Sequence, residues 1–365
     1  MDDCDVLIVG GGPAGSTCAW KLHRAGFHVI VMDKAAFPRD KPCAGWITPQ
    51  AVQALRLDLG EYTRGRTLQV ITGFRVRVMG SPRSVEVKYD RPVSFGIRRC
   101  EFDHYLLQRS QATLRLGSPV ETIRRDRGRW IVNEAIRAST LVGAGGHWCP
   151  VARMLNGARV RGPLVAAQEA EFPIESHRSA TFTTEAGTPE FYFCRDFKGY
   201  GWCFRKQQYL NVGLGRIDRH GPSKAAAEFL SYLKADGRMP ADTHCQWRGH
   251  AYLVEAPRTR RAVDEDVLLV GDAAGLADSR SGEGIRAGIE SGLLAASMIA
   301  GRERLLDYET RLRQCGVIES SSGSTILPDQ VSAKLGGLLL QLPWFVRHVV
   351  LDRWFLKKSV QARSC

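Results

Sequence analysis

The chain has 365 residues, of which 44% are hydrophobic and 24% are charged. This composition is ordinary for a globular enzyme and excludes a fibrous or disordered protein. The net charge of +13 comes from dispersed Lys and Arg, so we expect surface charge and no nucleic-acid partner. The ten cysteines are scattered and the N-terminus is acidic, unlike a signal peptide, which predicts reduced thiols and a cytoplasmic protein.

The first part of the chain predicts a βαβ unit. Residues 5–9 form an apolar run of strand length, residues 13–25 have helical spacing, and residues 28–32 form a second apolar run that ends on Asp33. Strand, helix and strand in this order predict a parallel sheet with a right-handed crossover.

A glycine motif lies between the first strand and the first helix. Gly10, Gly12 and Gly15 fit the pattern G-x-G-x-x-G, which lets a pyrophosphate approach the positive end of the helix. Asp33 is placed to accept hydrogen bonds from an adenosine ribose. The motif predicts a dinucleotide site, and a tight βα turn without a ligand is the alternative.

The middle of the chain changes to alternating, aromatic-rich runs. Residues 68–97 and 164–254 have the alternation of antiparallel strands, with a helix predicted at 223–233. Between them, residues 99–112 predict a helix and residues 141–146 predict a strand that ends in a glycine turn.

A second ligand motif follows the apolar strand 267–270. Gly271 and Asp272 come directly after this strand, and a helix is predicted over 282–299. The carboxylate of Asp272 can accept from ribityl hydroxyls, which a flavin has and a nicotinamide dinucleotide lacks. Gly282 and Gly284 permit a second helix N-terminus to face the flavin ring. The pair of motifs favours FAD, and a loop capped by the aspartate is the alternative.

With Arg99-x-x-Phe102-Asp103 before a helix, these motifs resemble the flavoprotein superfamily of p-hydroxybenzoate hydroxylase. Asp40-Lys41-Pro42-Cys43-Ala44-Gly45 resembles a segment of geranylgeranyl reductases. Gly199-Tyr200-Gly201-Trp202-Cys203-Phe204 and the following Asn211–Gly215 resemble the aromatic substrate motif of that family. The likeness extends from residue 5 to about residue 300.

The resemblance implies the residues of the site. Arg99 matches the arginine that contacts the FAD linker, and Tyr200, Trp202 and Phe204 match the substrate motif. The cofactor-binding residues expected are Gly10, Gly12, Pro13, Ala14, Gly15, Asp33, Lys34, Cys43, Ala44, Gly45, Arg99, Val120, Gly271, Asp272, Gly282, Gly284 and Ile285.

Two interpretations stay open for the most distinctive side chains. Cys43 either lies by the flavin ring, where it positions or protonates the substrate, or is a small buried hydrophobe. Tyr200, Trp202 and Phe204 alternate and share one face of a strand, which either lines an apolar pocket or fills the core. No metal site is predicted, because the histidines lack ligand spacing and are expected to be structural or exposed: His104, His147, His177, His220, His244 and His250.

Four positions depart from the family pattern. Gly145 replaces an aspartate, Asp278 and Ser279 replace an Asn-Pro pair, and Arg205 replaces the proline that closes the aromatic motif. FAD binding should survive these changes. An arginine in a hydrocarbon pocket would be costly unless it is paired or points outward, so Arg205 puts the substrate class in doubt.

The fold class predicted is mixed α/β, with a Rossmann-like FAD-binding domain interleaved with an antiparallel-sheet substrate domain and followed by a helical C-terminus. The FAD-binding domain is assigned to 1–67, 98–163 and 256–310. The substrate domain is assigned to 68–97 and 164–255, and the helical region to 311–365.

The C-terminal run 335–346 is free of charge but has only 12 residues and contains Pro343, whereas a membrane span needs about 20 apolar residues. With nearby Trp344, Trp354 and Lys357, it either lies on a membrane surface or packs over the substrate domain.

The function predicted is FAD-dependent reduction of a carbon–carbon double bond in an apolar, prenyl-like substrate. The electrons come from NAD(P)H as a transient donor or from a donor protein. A flavin monooxygenase of aromatic substrates or a halogenase relative is the second hypothesis, although the halogenase Trp-x-Trp-x-Ile-Pro element is missing. A non-catalytic flavin electron carrier is the third.

Overall fold

The computed structural model describes residues 1–157, 164–217, 221–253, 260–278, 280–318 and 335–358. Ser279 and His220 therefore lie outside the described residues. Among the cysteines of the described ranges, eight are free thiols and Cys315 is disulfide-bonded, so the expectation of thiols alone is not met at Cys315.

The N-terminal motif belongs to a sheet with a parallel centre. Its strands are β1 (Asp2–Val9), β2 (Val29–Asp33), β8 (Thr113–Leu116), β9 (Ile123–Asp126), β10 (Arg129–Val132), β11 (Ile136–Gly143), β17 (Val263–Asp264) and β18 (Val267–Leu269). Five parallel strands run in the order β18-β11-β1-β2-β8. Strand β10 pairs antiparallel with β11 and with β9, and β17 pairs antiparallel with β18.

A second sheet carries the aromatic motif. Its strands are β5 (Gly73–Val78), β6 (Ser84–Lys88), β12 (Leu164–Pro173), β13 (Glu190–Phe193), β14 (Gly199–Lys206), β15 (Tyr209–Arg216) and β16 (Arg248–Leu253). They run in the order β16-β12-β15-β14-β13-β5-β6, and all pairs are antiparallel except β13 with β5.

A small third sheet consists of three short strands. Its strands are β3 (Trp46–Ile47), β4 (Leu68–Ile71) and β7 (Ser94–Ile97), in the order β3-β7-β4. It combines segments that the sequence assigned to different domains, and the domain boundaries themselves stay a prediction.

The helices pack against these sheets. They are α1 (Pro13–Arg24), α2 (Pro49–Leu55), α3 (Leu59–Tyr62), α4 (Arg99–Arg109), α5 (Pro150–Asn156), α6 (Pro222–Ala235), α7 (Ile285–Ala300) and α8 (Tyr308–Gln314). The mixed α/β class and the Rossmann-like unit are confirmed. Helix α7 begins later than predicted, because Gly282 has a φ of +68° and cannot start the helix.

The C-terminal segment packs on the second sheet. Pro343–Phe345 is a short helical turn and Val346–Phe355 is a π-helix. Val346, Val350, Leu351 and Phe355 are buried in the core of the second sheet. Leu338, Leu342 and Trp344 remain 63%, 52% and 68% exposed. The segment therefore covers the second sheet on one side and presents apolar side chains to solvent on the other.

Candidate active site

A cavity of about 1310 Å³ lies between the parallel sheet and the second sheet. Single-ligand pockets are usually about 300–1,000 Å³, so the cavity has room for a dinucleotide and a second molecule. Most of the predicted site residues line it: Gly10, Gly12, Pro13, Ala14, Asp33, Lys34, Cys43, Ala44, Arg99, Val120, Tyr200, Trp202, Gly271, Asp272, Gly282, Gly284 and Ile285.

Three predicted residues lie off the cavity wall. Gly15 packs under the glycine turn, and a Cβ there would lie 2.0 Å from the carbonyl oxygen of Gly10. Gly45 packs against Ile97 in the same way. Phe204 is 1% exposed and its ring lies over Gly96 in the core. Phe204 is therefore a core residue here, because strand β7 of the third sheet covers its ring at Gly96.

The N-terminus of α1 opens directly onto the cavity. Gly12 caps the helix without a side-chain hydrogen bond, and Arg39 Nη2, at 3.5 Å, is the one atom within 4 Å of a Cβ built on Gly12. Asp33 is held by backbone N–H groups, with 2.8 Å from Gly11 to Oδ2 and 2.9 Å from Ala35 to Oδ1. An open helix N-terminus beside a fixed carboxylate fits the pyrophosphate and ribose of a dinucleotide.

Two arginines add positive charge to this end of the cavity. Arg99 donates from Nε and Nη2 to the two oxygens of Asp103, each at 2.7 Å, and Arg39 Nη2 lies 3.2 Å from Asp103 Oδ2. Burial alone would lower the pKa of the Arg99 guanidinium, but the negative charge and the hydrogen bonds of Asp103 act against it, and this pKa is raised overall. Both arginines line the cavity, so a charged side chain is held where a phosphate linker would lie.

The second motif places Asp272 in a charged setting. His250 Nε2 lies 3.8 Å from Asp272 Oδ2, which is a near approach rather than a hydrogen bond. Burial acts to raise the pKa of Asp272, yet His250 and Lys41 lower it overall. Burial also lowers the pKa of Lys41 and of His250. Asp272 is therefore an ionised acceptor at neutral pH, which suits the hydroxyl groups of a ribityl chain.

Helix α7 supplies a second open N-terminus. Its cap, Gly284, makes no side-chain hydrogen bond, and Gly282, Gly284 and Ile285 line the cavity. Unpaired N–H groups at a helix start favour negative charge nearby. The cavity thus has room for a dinucleotide. It also presents two uncapped helix N-termini, two arginines paired with Asp103 and an ionised aspartate, and these features together fit FAD.

The opposite wall of the cavity is aromatic. Tyr200 and Trp202 lie on it together with Trp46, Phe191, Phe193, Phe197, Trp354 and Phe355. Trp46 stacks on Phe191 and Phe355 with ring centroids 5.6 Å apart in each pair. Arg205 is not part of this wall, because its Nη2 donates to Ser179 Oγ at 2.7 Å. The arginine that replaces the family proline is therefore no obstacle to an apolar ligand.

Cys43 lies where the aromatic wall meets the dinucleotide end. It lines the cavity and is half-buried, and its Sγ accepts from the N–H of Gly45 at 3.4 Å. The backbone oxygen of Cys43 accepts from Asn211 Nδ2 at 3.1 Å. This placement fits a thiol beside a flavin ring, while its packing against the neighbouring core also fits the structural alternative.

Sequence reasoning missed several polar residues of the wall. His147 and His250, expected to be structural or exposed, both line the cavity, as do Lys41 and Glu169. Glu169 and His250 are isolated polar residues in strands β12 and β16, so only the strand pairing brings them to the cavity, whereas His147 lies in a short turn and Lys41 in a loop. Among the residues that the structure covers, no cluster of His, Cys, Asp or Glu has the makeup of a metal site.

Comparisons with known proteins identify the family. The model of the NAD(P)-binding Rossmann-like domain matches residues 8–60. A menaquinone reductase of Mycobacterium tuberculosis is 31% identical over 330 residues, covering 83% of this chain and 78% of that protein. A geranylgeranyl diphosphate reductase of Rhodobacter capsulatus is 27% identical, covering 77% and 71%.

Solved structures share the fold. A geranylgeranyl bacteriochlorophyll reductase-like protein of Thermoplasma acidophilum superposes with a TM-score of 0.73 at 19% identity, covering 96% of this chain and 99% of that one. Fold, site and relatives together define an FAD-dependent oxidoreductase. Within that class, the chain belongs to the geranylgeranyl reductase-like family of flavoproteins.

Proposed function

We propose that this protein saturates a carbon–carbon double bond in an apolar isoprenoid chain. The observation that supports this most is the two-ended cavity, in which one end carries the dinucleotide motifs and the other an aromatic wall. The names of two relatives, menaquinone reductase and geranylgeranyl diphosphate reductase, point to the same chemical class of substrate.

The cofactor-holding residues follow from the geometry of the first end. We assign the pyrophosphate to the start of α1 with Arg99 and Arg39, the adenosine ribose to Asp33, and the ribityl chain to Asp272. The start of α7 stabilises negative charge on the reduced ring system. Bound FAD, once reduced, supplies the hydride for the double bond.

The substrate-holding residues are those of the aromatic wall. Trp202, Tyr200 and Phe191 offer flat apolar surfaces that hold an isoprenoid chain and keep water away from it. The phenol of Tyr200 is satisfied by a hydrogen bond to the carbonyl oxygen of Ser281, so it adds no unpaired polar group to the wall. Cys43 holds the substrate at the junction of the two ends, within reach of both.

We further propose that the protein meets its substrate at a membrane surface. The exposed Leu338, Leu342 and Trp344 lie on the same C-terminal segment as Trp354 and Phe355, which line the cavity. Basic side chains flank the apolar patch, with Arg83 bonded to Gln341 at 3.0 Å and Arg347 exposed beside it. Apolar and basic side chains together suit an anionic lipid surface. Within the described residues, no helix is long and apolar enough to span a bilayer.

NAD(P)H, or a donor protein in its place, is the electron source that we propose. The proposed function is tested by photoreducing the purified holoenzyme without oxygen and mixing it with geranylgeranyl diphosphate or menaquinone. Reoxidation of the flavin with formation of a product that has gained two hydrogen atoms in its isoprenoid chain supports the proposal. With menaquinone, a gain of two hydrogen atoms in the quinone ring alone would count against it. Repeating the reduction step with NADH and with NADPH, in place of light, identifies the donor. If neither nucleotide reduces the flavin, a donor protein is the electron source.

A further inference from the structure

A buried carboxyl group lies beside Trp202 on the cavity-facing side of the second sheet. In the sheet register, Gly213 of β15 pairs with Glu169 of β12 on one side and with Trp202 of β14 on the other. A Cβ at Gly213 would lie 2.2 Å from the indole of Trp202, so the ring lies across the glycine toward Glu169. Glu169 is 6% exposed and lines the cavity.

Asn211 forms hydrogen bonds with this carboxyl group, with the backbone of Cys43 and with the side chain of Trp202. Its Nδ2 lies 2.6 Å from Glu169 Oε1 and 3.1 Å from both the backbone oxygen of Cys43 and Glu171 Oε2, so its two N–H groups serve three acceptors. Its Oδ1 accepts from Trp202 Nε1 at 2.7 Å. Asn211 is fully buried, so Glu169, Cys43 and Trp202 are held by one side chain with little freedom to move.

The neighbouring carboxyl group has a different electrostatic partner. Lys206 Nζ lies 2.5 Å from Glu171, and Arg98 Nε lies 3.0 Å from it. These cations hold the pKa of Glu171 below its usual value although burial acts against this. Lys206 also donates to the backbone oxygens of Ala44 and Ile97 at 2.9 and 3.0 Å, which fixes it on the side of Glu171.

The pKa of Glu169 is shifted in the opposite direction from that of Glu171. Burial first, and then the charge of Glu171, raise the pKa of Glu169 to about 7 against the lowering effect of Lys206, Asn211 and the N–H of Cys43. Arg248, which pairs with Glu169 in the register of β16, is engaged by Asp40. Two adjacent carboxyl groups with separated pKa values divide naturally into an ionised group and a proton donor.

We propose that Glu169, as the neutral carboxylic acid, donates the proton that completes reduction of the double bond. This rests on the proposed function, with reduced FAD as the hydride source. One alkene carbon gains the hydride and its electron pair, the π bond breaks, and the other carbon takes the proton of Glu169. The carboxylate that remains recovers a proton from solvent.

The first test follows the carboxyl group itself. Infrared difference spectra of the oxidised holoenzyme, titrated without substrate, should show a protonated carboxyl band that disappears as the pH rises through about 7. The band should be absent from Glu169→Gln. Glu171→Gln should move its midpoint to lower pH, because the repelling charge is removed and Lys206 is freed. A Glu169 that is ionised throughout the titration would overturn the proposal.

The second test follows the reaction in a single turnover. General acids typically contribute about 10²- to 10⁴-fold, so Glu169→Gln should slow reoxidation of the reduced holoenzyme by substrate by that order, with unchanged FAD content. The wild-type rate should fall above about pH 7, where Glu169 loses its proton. This fall should be lost in Glu169→Gln and kept in Glu169→Asp. A Glu169→Gln rate and pH profile equal to wild type would overturn the proposal. A wild type that no isoprenoid reoxidises, with the infrared titration as expected, would instead reject the proposed function.

Discussion

Lys357 and Asp278 form a buried ion pair, with 2.6 Å between Nζ and Oδ2. Lys357 follows the C-terminal π-helix and is 2% exposed, and Asp278 lies in the loop before α7. Asp278 occupies a position where the family has an asparagine. The added negative charge is therefore matched by a lysine from the far end of the chain, which joins the C-terminal segment to the loop beside the cavity.

Removing one partner of this pair should cost more than removing both. Lys357→Met leaves the Asp278 carboxylate without its ion-pair partner but keeps the hydrogen bonds from Arg280 and Ser281 to Oδ1. We expect a loss of at most about 3–5 kcal/mol in the free energy of unfolding. The double variant with Asp278→Asn should recover much of that loss. Lys358→Met is the control, because Lys358 is 40% exposed and its pair with Asp352 should contribute at most about 1 kcal/mol. Urea unfolding measures all four proteins, and equal losses at both lysines would contradict the account.

The same pair predicts a pH dependence. Burial acts to raise the pKa of Asp278, but Lys357 and Ser281 lower it overall from 3.8. A lowered pKa means that the pair stabilises the fold fully above the unfolded-state value and loses its effect as the pH falls through the folded-state value. Acid unfolding of wild type should therefore be steeper than that of the double variant, whose curve lacks this group. Superimposable acid-unfolding curves would show that the pair contributes nothing.

Substitutions at two glycines of the first motif should have different effects, one on FAD binding and the other on the stability of the fold. The Cβ of Gly12→Val points into the cavity, so the variant should fold with unchanged apoprotein stability but purify without flavin colour. The Cβ of Gly15→Ala meets the oxygen of Gly10 at 2.0 Å, so that variant should lose stability even as apoprotein. Absorbance of released FAD and thermal unfolding of apoprotein separate the two, and a yellow Gly12→Val would refute the placement of the cofactor.

The aromatic wall can be tested by comparing Trp202 with Phe204. Trp202→Ala removes a cavity surface and the hydrogen bond to Asn211, and a misplacement of about 1 Å costs on the order of a hundredfold in rate. Phe204→Leu changes a core residue off the cavity, so it should lower stability by about 1–3 kcal/mol with a much smaller effect on rate. Single-turnover reoxidation and thermal unfolding provide the two readouts. A larger rate effect at Phe204 than at Trp202 would reverse the assignment.

The sequence predicted the parts of the site that have short-range motifs. Gly10, Gly12, Asp33, Arg99 and Asp272 each follow a strand or begin a helix, and their spacing along the chain carries the signal. Glu169 and Asn211 are far apart in sequence and sit in ordinary alternating strands, so only the strand register reveals that they meet. Phe204 shows the opposite case. Alternation along the strand places it on the same face as Trp202, but its ring is covered by Gly96 of strand β7, which the local pattern does not reveal.

Membrane contact should depend on the exposed apolar patch. Leu338→Ser with Trp344→Ser should reduce cosedimentation with phosphatidylglycerol vesicles, because two exposed side chains that would enter the lipid are lost. Trp148→Ser is the control, since Trp148 is 60% exposed but belongs to the short turn before α5. Phosphatidylcholine vesicles and high salt should weaken binding of wild type. Wild-type binding to neither vesicle would reject the membrane proposal.

The central claim is tested most directly by mixing photoreduced holoenzyme with an isoprenoid in a stopped-flow instrument without oxygen. We predict that the flavin is reoxidised and that fragmentation in the mass spectrometer places two additional hydrogen atoms in the isoprenoid chain. Reduced enzyme that no isoprenoid reoxidises, but that hydroxylates an aromatic compound when oxygen is admitted, would contradict the claim and establish a monooxygenase.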